Sequence, residues 1–139
     1  MTGIVLIGHG SYASGVLSAV ELVAGTPEQI AAVNFVKGEG VEQLKTNLIE
    51  AILSLKSQNV LVMTDIVGGS PFNVTAQLLI ENAGEKLEKN MKAVAGANLA
   101  AVIQAVFMRE TIPFDCLAGE VEQAGKEGVQ DILAMIEST

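Results

Sequence analysis

One histidine stands in 139 residues, at position 9 between two glycines. Ahead of it, Ile4-Val5-Leu6-Ile7 is an apolar run without polar alternation, the pattern of a strand buried on both faces. Gly8-His9-Gly10-Ser11 ends the run, and a helical pattern begins at about Ser14. In α/β proteins the C-terminal end of a buried strand, where it turns into a helix, is where the chemistry is placed. An imidazole at such a turn can act as a general base or as a nucleophile. A second junction of the same kind follows the strand-like Asn59–Met63: Thr64-Asp65-Ile66-Val67-Gly68-Gly69-Ser70-Pro71. Asp65 supplies a carboxylate that can hold one ring N–H and so fix the tautomer. Gly68 and Gly69 permit close backbone approach. Ser70-Pro71 reads as an N-cap and first residue of a helix running to about Asn82.

Glycine loops and the free N–H groups of a helix start suit an anion with three equatorial oxygens, which is a phosphoryl group in transfer. There is no Walker lysine loop and no acidic cluster to hold Mg²⁺ about a nucleotide, so a protein-borne phosphoryl group is the expected cargo. Each motif also has a plainer reading. A lone histidine can be structural, Asp65 can cap a turn, Gly68–Pro71 can be a tight turn into a helix, and Asn98 fits an N-cap better than a ligand. Asp65 is expected on a solvent-facing loop.

Composition narrows the classes. The net charge of −8 argues against nucleic acid or an anionic membrane as partner. With one histidine and one cysteine, Cys116, neither a nitrogen- or sulfur-ligated metal nor an internal disulfide is expected. Aromatic residues are too few to sandwich a flavin, so no cofactor is expected. The apolar run at the N-terminus is too short for a signal-peptide core or a membrane span, which leaves a cytoplasmic protein without membrane insertion as the expectation.

The elements that must position these groups follow from periodicity. A helical stripe at 16, 17, 20 and 23 closes at Gly25-Thr26-Pro27. Gln29–Phe35 reads as a strand, and Val41, Leu44, Leu48, Ile52 and Leu55 form a second helical stripe. Lys92–Ala95 reads as a strand, Leu99 to about Arg109 as a helix, Phe114–Leu117 as a short edge strand and Glu120–Met135 as a last helix containing two glycines. Strands and helices that alternate over short connections predict right-handed βαβ units and an α/β fold. The expected architecture is three-layered, with a mainly parallel four-stranded sheet in the order 2-1-3-4. In that order the first and third strands are neighbours, and their C-terminal loops place His9 and Asp65 in one crevice.

GHGSYASG at 8–15 and TDIVGGSPFN at 64–73 resemble the enzyme IIA of the mannose family of the phosphoenolpyruvate-dependent sugar phosphotransferase system, the type shared by mannose, N-acetylgalactosamine, sorbose and fructose permeases. Gly96-Ala97-Asn98 and the KEGV of 126–129 fall where that family has similar residues, so the resemblance covers 1–139 as a single domain. It implies a phosphoryl carrier: His9 takes the group from phosphohistidine on HPr and passes it to enzyme IIB for sugar import. It further implies Asp65 as the orienting partner and Gly10, Gly68, Gly69 and Ser70 as the phosphate cradle. A homodimer that exchanges an edge strand is also implied, and the end at Thr139 reads as an enzyme IIA without a fused IIB. A phosphoryl carrier serving dihydroxyacetone kinase, which shares the fold, is the alternative. A receiver domain phosphorylated on Asp65 is set aside, because the first strand ends in Gly8-His9-Gly10 instead of an acidic Mg²⁺ pocket.

Overall fold

A computed structural model describes residues 1–139. Four parallel strands form one sheet in the order β2-β1-β3-β4. They are β1 (Gly3–His9), β2 (Ile30–Phe35), β3 (Asn59–Thr64) and β4 (Asn90–Val94). Helices α1 (Tyr12–Ala24), α2 (Val41–Ser54), α3 (Ser70–Ile80) and the short α4 (Ala83–Leu87) connect them. Three more follow: α5 (Leu99–Met108), α6 (Phe114–Glu127) and α7 (Ile132–Glu137). No helix is long and apolar enough to cross a membrane.

The missing alternation in β1 has a direct cause. Ile4 and Leu6 point into one cluster with Leu61 and Met63, beneath Ala13 and Val20 of α1, Val102 of α5 and Leu117 and Val121 of α6. Val5 and Ile7 point the other way, with Val60 and Val62, beneath Leu44, Leu48 and Ile52 of α2 and Val74 and Leu78 of α3. Ile4, Val5, Leu6 and Ile7 are all at 0% exposure, so the strand is apolar on both faces because both are roofed by helices. These are the three expected layers.

Register levels the strand ends. Gly8 lies opposite Asn34 and His9 opposite Phe35 on β2, while Ile7 lies opposite Thr64 on β3. β1 and β3 therefore run to the same end of the sheet, and His9, the last residue of β1, emerges beside Asp65, the first residue after β3.

Two expectations are corrected. Phe114–Leu117 is the first turn of α6 rather than an edge strand. Pro113, with φ of −55°, introduces the helix, and the buried pair Leu117 and Val121, four residues apart, is a helical stripe packed on α5. The final helix is also not continuous to Met135: α6 ends at Gly128, and Asp131 starts α7 by accepting from the Ala134 N–H at 3.1 Å. Gly125 and Gly128 are the points where α6 presses on α5. A β-carbon at 128 would lie 2.5 Å from Ala100 Cβ, and one at 125 would lie 3.1 Å from Ala101 Cβ.

Leu6 lies at 0% exposure beneath the helices of the first cluster, so Leu6→Ala should cost about 2–5 kcal/mol in urea unfolding. A loss below about 1 kcal/mol would mean that this face of the sheet is not closely packed.

Candidate functional site

His9 is the last residue of β1, and its main chain and side chain converge on one atom. Its backbone N–H donates to Asp65 Oδ2 at 2.8 Å, and its ring Nδ1 lies 2.6 Å from the same oxygen. A carboxylate is an acceptor only, so Nδ1 carries the proton of this bond and the Nε2 lone pair is free. Asp65 Oδ1 accepts from the Ile66 N–H at 2.8 Å, which sets the carboxylate plane.

The loop does not expose Asp65 as expected. Its side chain is only 10% exposed, because three N–H groups gather round it. Burial alone would raise its pKa. The bonds from the His9 backbone and ring, the Ile66 N–H and the electrostatic pull of the imidazole outweigh burial and hold it below the usual carboxylate range.

Nε2 faces the start of α3. A β-carbon on Gly69 would lie 2.6 Å from His9 Cε1 and 3.2 Å from Nε2, so the imidazole rests on a backbone that only glycine leaves bare. Gly68 turns the chain into position with φ of +89°. Gly69, not Ser70, occupies the N-cap position: Ser70 opens α3, and the Asn73 N–H donates to the Gly69 carbonyl at 2.8 Å. No side chain caps this helix, so the N–H groups of Ser70 and Phe72, which precede the first helical bond, are available to an anion.

Gly10 sits in the turn between β1 and α1 with φ of +57°, and its N–H donates to the Phe35 carbonyl at 2.8 Å. That N–H is therefore not free for an anion. Asn98 belongs to helix packing: its Oδ1 accepts from Ala101 N at 3.0 Å, and its Nδ2 donates to the Gly125 carbonyl at 2.9 Å.

The sequence assigns a role to neither of two aromatic neighbours, although Tyr12 lies within the motif at 8–15. The Phe35 ring meets the His9 imidazole edge-on, with centroids 6.0 Å apart and planes at 62°. Tyr12 lies against Gly8, just before His9. Strand adjacency carried the signal for Phe35, since it ends the strand beside β1. Ile66 and Val67, at 58% and 72% exposure, form an apolar rim on the loop that carries Asp65.

The family described as "PTS system fructose IIA component" matches residues 3–122. The mannose-specific EIIAB component of Escherichia coli is 29% identical over 137 residues, covering 96% of this chain and 41% of that protein. The chain thus spans about two fifths of the length of the Escherichia coli relatives it matches. The fructose-specific EIIA component of Bacillus subtilis is 25% identical over 131 residues, covering 94% of this chain and 86% of that one. Among solved structures, a phosphotransferase system component EIIA from Streptococcus agalactiae superposes with a TM-score of 0.86 at 31% identity, covering 96% of this chain and 99% of its own. A mannose/sorbose-specific IIA subunit from Enterococcus faecalis gives 0.78 at 26% identity, covering 94% and 93%.

Because the folded-state pKa of Asp65 is depressed, its contribution to stability is present above the unfolded value of about 3.9 and is lost as pH falls through the lower folded value. Asp65→Asn should therefore lower stability at pH 7 by about 1–3 kcal/mol, with the deficit shrinking below about pH 4. Thermal melts of both proteins across that range check it. A deficit independent of pH would mean that the carboxylate's charge does not hold the loop.

Proposed function

The chain belongs to the mannose-type enzyme IIA family of the sugar phosphotransferase systems, and we propose that within it His9 is a phosphoryl carrier between HPr and enzyme IIB. One observation carries this reading: a 2.6 Å contact from Nδ1 to Asp65 leaves Nε2 as the free nitrogen, beside Gly69 and the open start of α3. The Nε2 lone pair attacks phosphorus on the donor's phosphohistidine, the donor's P–N bond breaks, and its electron pair returns to the donor imidazole. His9 keeps its Nδ1 proton throughout, and Asp65 stabilises the ring as it gains positive character. Gly68, Gly69 and Ser70 would present backbone dipoles to the three phosphoryl oxygens, with Gly10 shaping the opposite wall. Transfer to enzyme IIB is the same step in reverse on a second imidazole or thiolate.

The surroundings of the site support a protein donor over a small one. Ile66 and Val67 present apolar surface beside the reacting nitrogen, the kind of rim a protein partner covers. The sugar is then met by other components of the system, and this chain makes no contact with it. A homodimer also fits, because the outer edge of β4 has no partner strand and α7 is exposed along its whole length.

Incubation with phosphoenolpyruvate, enzyme I and HPr should add one phosphoryl group that is lost in acid and kept in alkali, and His9→Ala should take none. An acid-stable adduct, or labelling of His9→Ala, would sink the proposal. Sedimentation should give a dimer mass at micromolar concentration. A monomer mass that does not change with concentration would remove the dimer.

A further inference from the structure

We propose that Tyr12 is a positioning residue of the site, locking the turn after β1 to the turn after β4 and so holding His9 in place against Asp65. The ring and the hydroxyl both contribute. A β-carbon on Gly8 would lie 2.3 Å from Tyr12 Cδ1 and 2.8 Å from Cγ, so the phenol ring lies directly on the backbone that leads into His9. Its hydroxyl donates to the Ala97 carbonyl, 85 positions along the chain. The Ala97 N–H in turn donates to the Thr64 carbonyl at 2.9 Å, and Thr64 precedes Asp65.

These links close a ring of contacts: His9 to Gly8, Gly8 to Tyr12, Tyr12 to Ala97, Ala97 to Thr64, and Asp65 back to His9. The sheet ladder alone does not supply this closure. β1 and β4 are not neighbours, since β3 lies between them, so the tyrosine spans the end of β3 from one flanking loop to the other. Tyr12 also touches the first core cluster, and filling space there would need only its ring. The bond to Ala97 is the part that packing does not explain. Burial, and then the nearby charge of Asp65, push the phenol pKa up to about 12, so the hydroxyl keeps its proton and remains a donor at neutral pH.

The proposal depends on the carrier reading only for its effect on transfer; the geometry of the imidazole can be measured without it. In the full chain, NMR of the His9 Nδ1 proton reports the bond to Asp65. In Tyr12→Phe, which keeps the ring on Gly8 and deletes the donor, this resonance should move upfield and exchange faster. Transfer from phospho-HPr should fall about tenfold in rate while half-saturation stays unchanged. Lys89→Met is the control for a general loss of stability, because that lysine pins the Leu55 and Ser57 carbonyls at the opposite end of the sheet. It should lower the melt and leave the His9 resonance where it is. A wild-type resonance and rate in Tyr12→Phe, or the same shift in Lys89→Met, overturns the proposal.

A second measurement covers a Tyr12→Phe protein that does not fold. Tyr12 is the only tyrosine, so biosynthetic 3,5-difluorotyrosine labels this one site. Its more acidic phenol loses its proton within an otherwise unaltered protein as pH rises. The His9 Nδ1 proton should then shift with the same midpoint as the fluorine signal, and a fluorine titration with no response at His9 overturns the proposal. If the wild type accepts no phosphoryl group but Tyr12 still governs the His9 resonance, the carrier reading fails and the positioning role stands.

Discussion

A carboxylate can only accept hydrogen bonds, so an oxygen that touches an imidazole nitrogen decides where the ring keeps its proton. Asp65 Oδ2 does this while also holding the backbone N–H of the same histidine, at 2.8 Å for the main chain and 2.6 Å for the ring. Two bonds from one residue to one atom fix the ring's rotation as well as its tautomer. The surrounding structure keeps that geometry in place. The register that pairs Ile7 with Thr64 brings the two strand ends level, and the Ile66 N–H sets the carboxylate plane. Bare backbone at Gly69 lets the ring lie down, and Phe35 meets it edge-on. Asp65 is the one side chain hydrogen-bonded to His9, and no lysine or arginine forms an ion pair with that carboxylate.

The parallel sheet was legible because its two central strands, β1 and β3, carry no alternation. Ile4 to Ile7 and Val60 to Met63 are buried on both faces, the pattern of a parallel sheet roofed on both sides by helices. Short connections then leave few topologies. The C-terminal third was harder for a physical reason. Phe114–Leu117 is too short for either period to show, and its helical character appears only when Leu117 is paired with Val121 one turn later. Gly125 and Gly128 read as helix-weakening residues, yet they are the places where α6 closes on Ala101 and Ala100 of α5. A glycine chosen for contact looks the same in sequence as one chosen for a turn.

At the site, topology alone placed His9 beside Asp65, since adjacent parallel strands open their C-terminal loops on the same edge of the sheet. Phe35 was reachable by the same logic, as the last residue of the strand on the other side of β1. Tyr12 was not reachable. Its partner Ala97 is 85 residues away, and a bond from a side chain to a backbone carbonyl leaves no mark on the residue type that accepts it. The cap of α3 shows a smaller limit of the same kind. Ser70-Pro71 has the composition of a cap followed by a first helical residue, but Gly69 takes the capping position and leaves the serine inside the helix.

Two aromatic rings lie on two glycines here: tyrosine 12 on Gly8 and the imidazole on Gly69. The precision of the site is therefore set by atoms that are missing, and this shapes how it can diversify. Across the loop at 65–70, the Ile66 and Val67 side chains are exposed, whereas a methyl group at position 69 would meet the His9 ring at 2.6 Å. A combinatorial library that treats the loop as one uniform surface would lose most of its members to that single position. Holding 8 and 69 constant keeps the His9 imidazole fixed while the rim around it is rewritten, so the position of Nε2 and the character of the surface beside it can change independently.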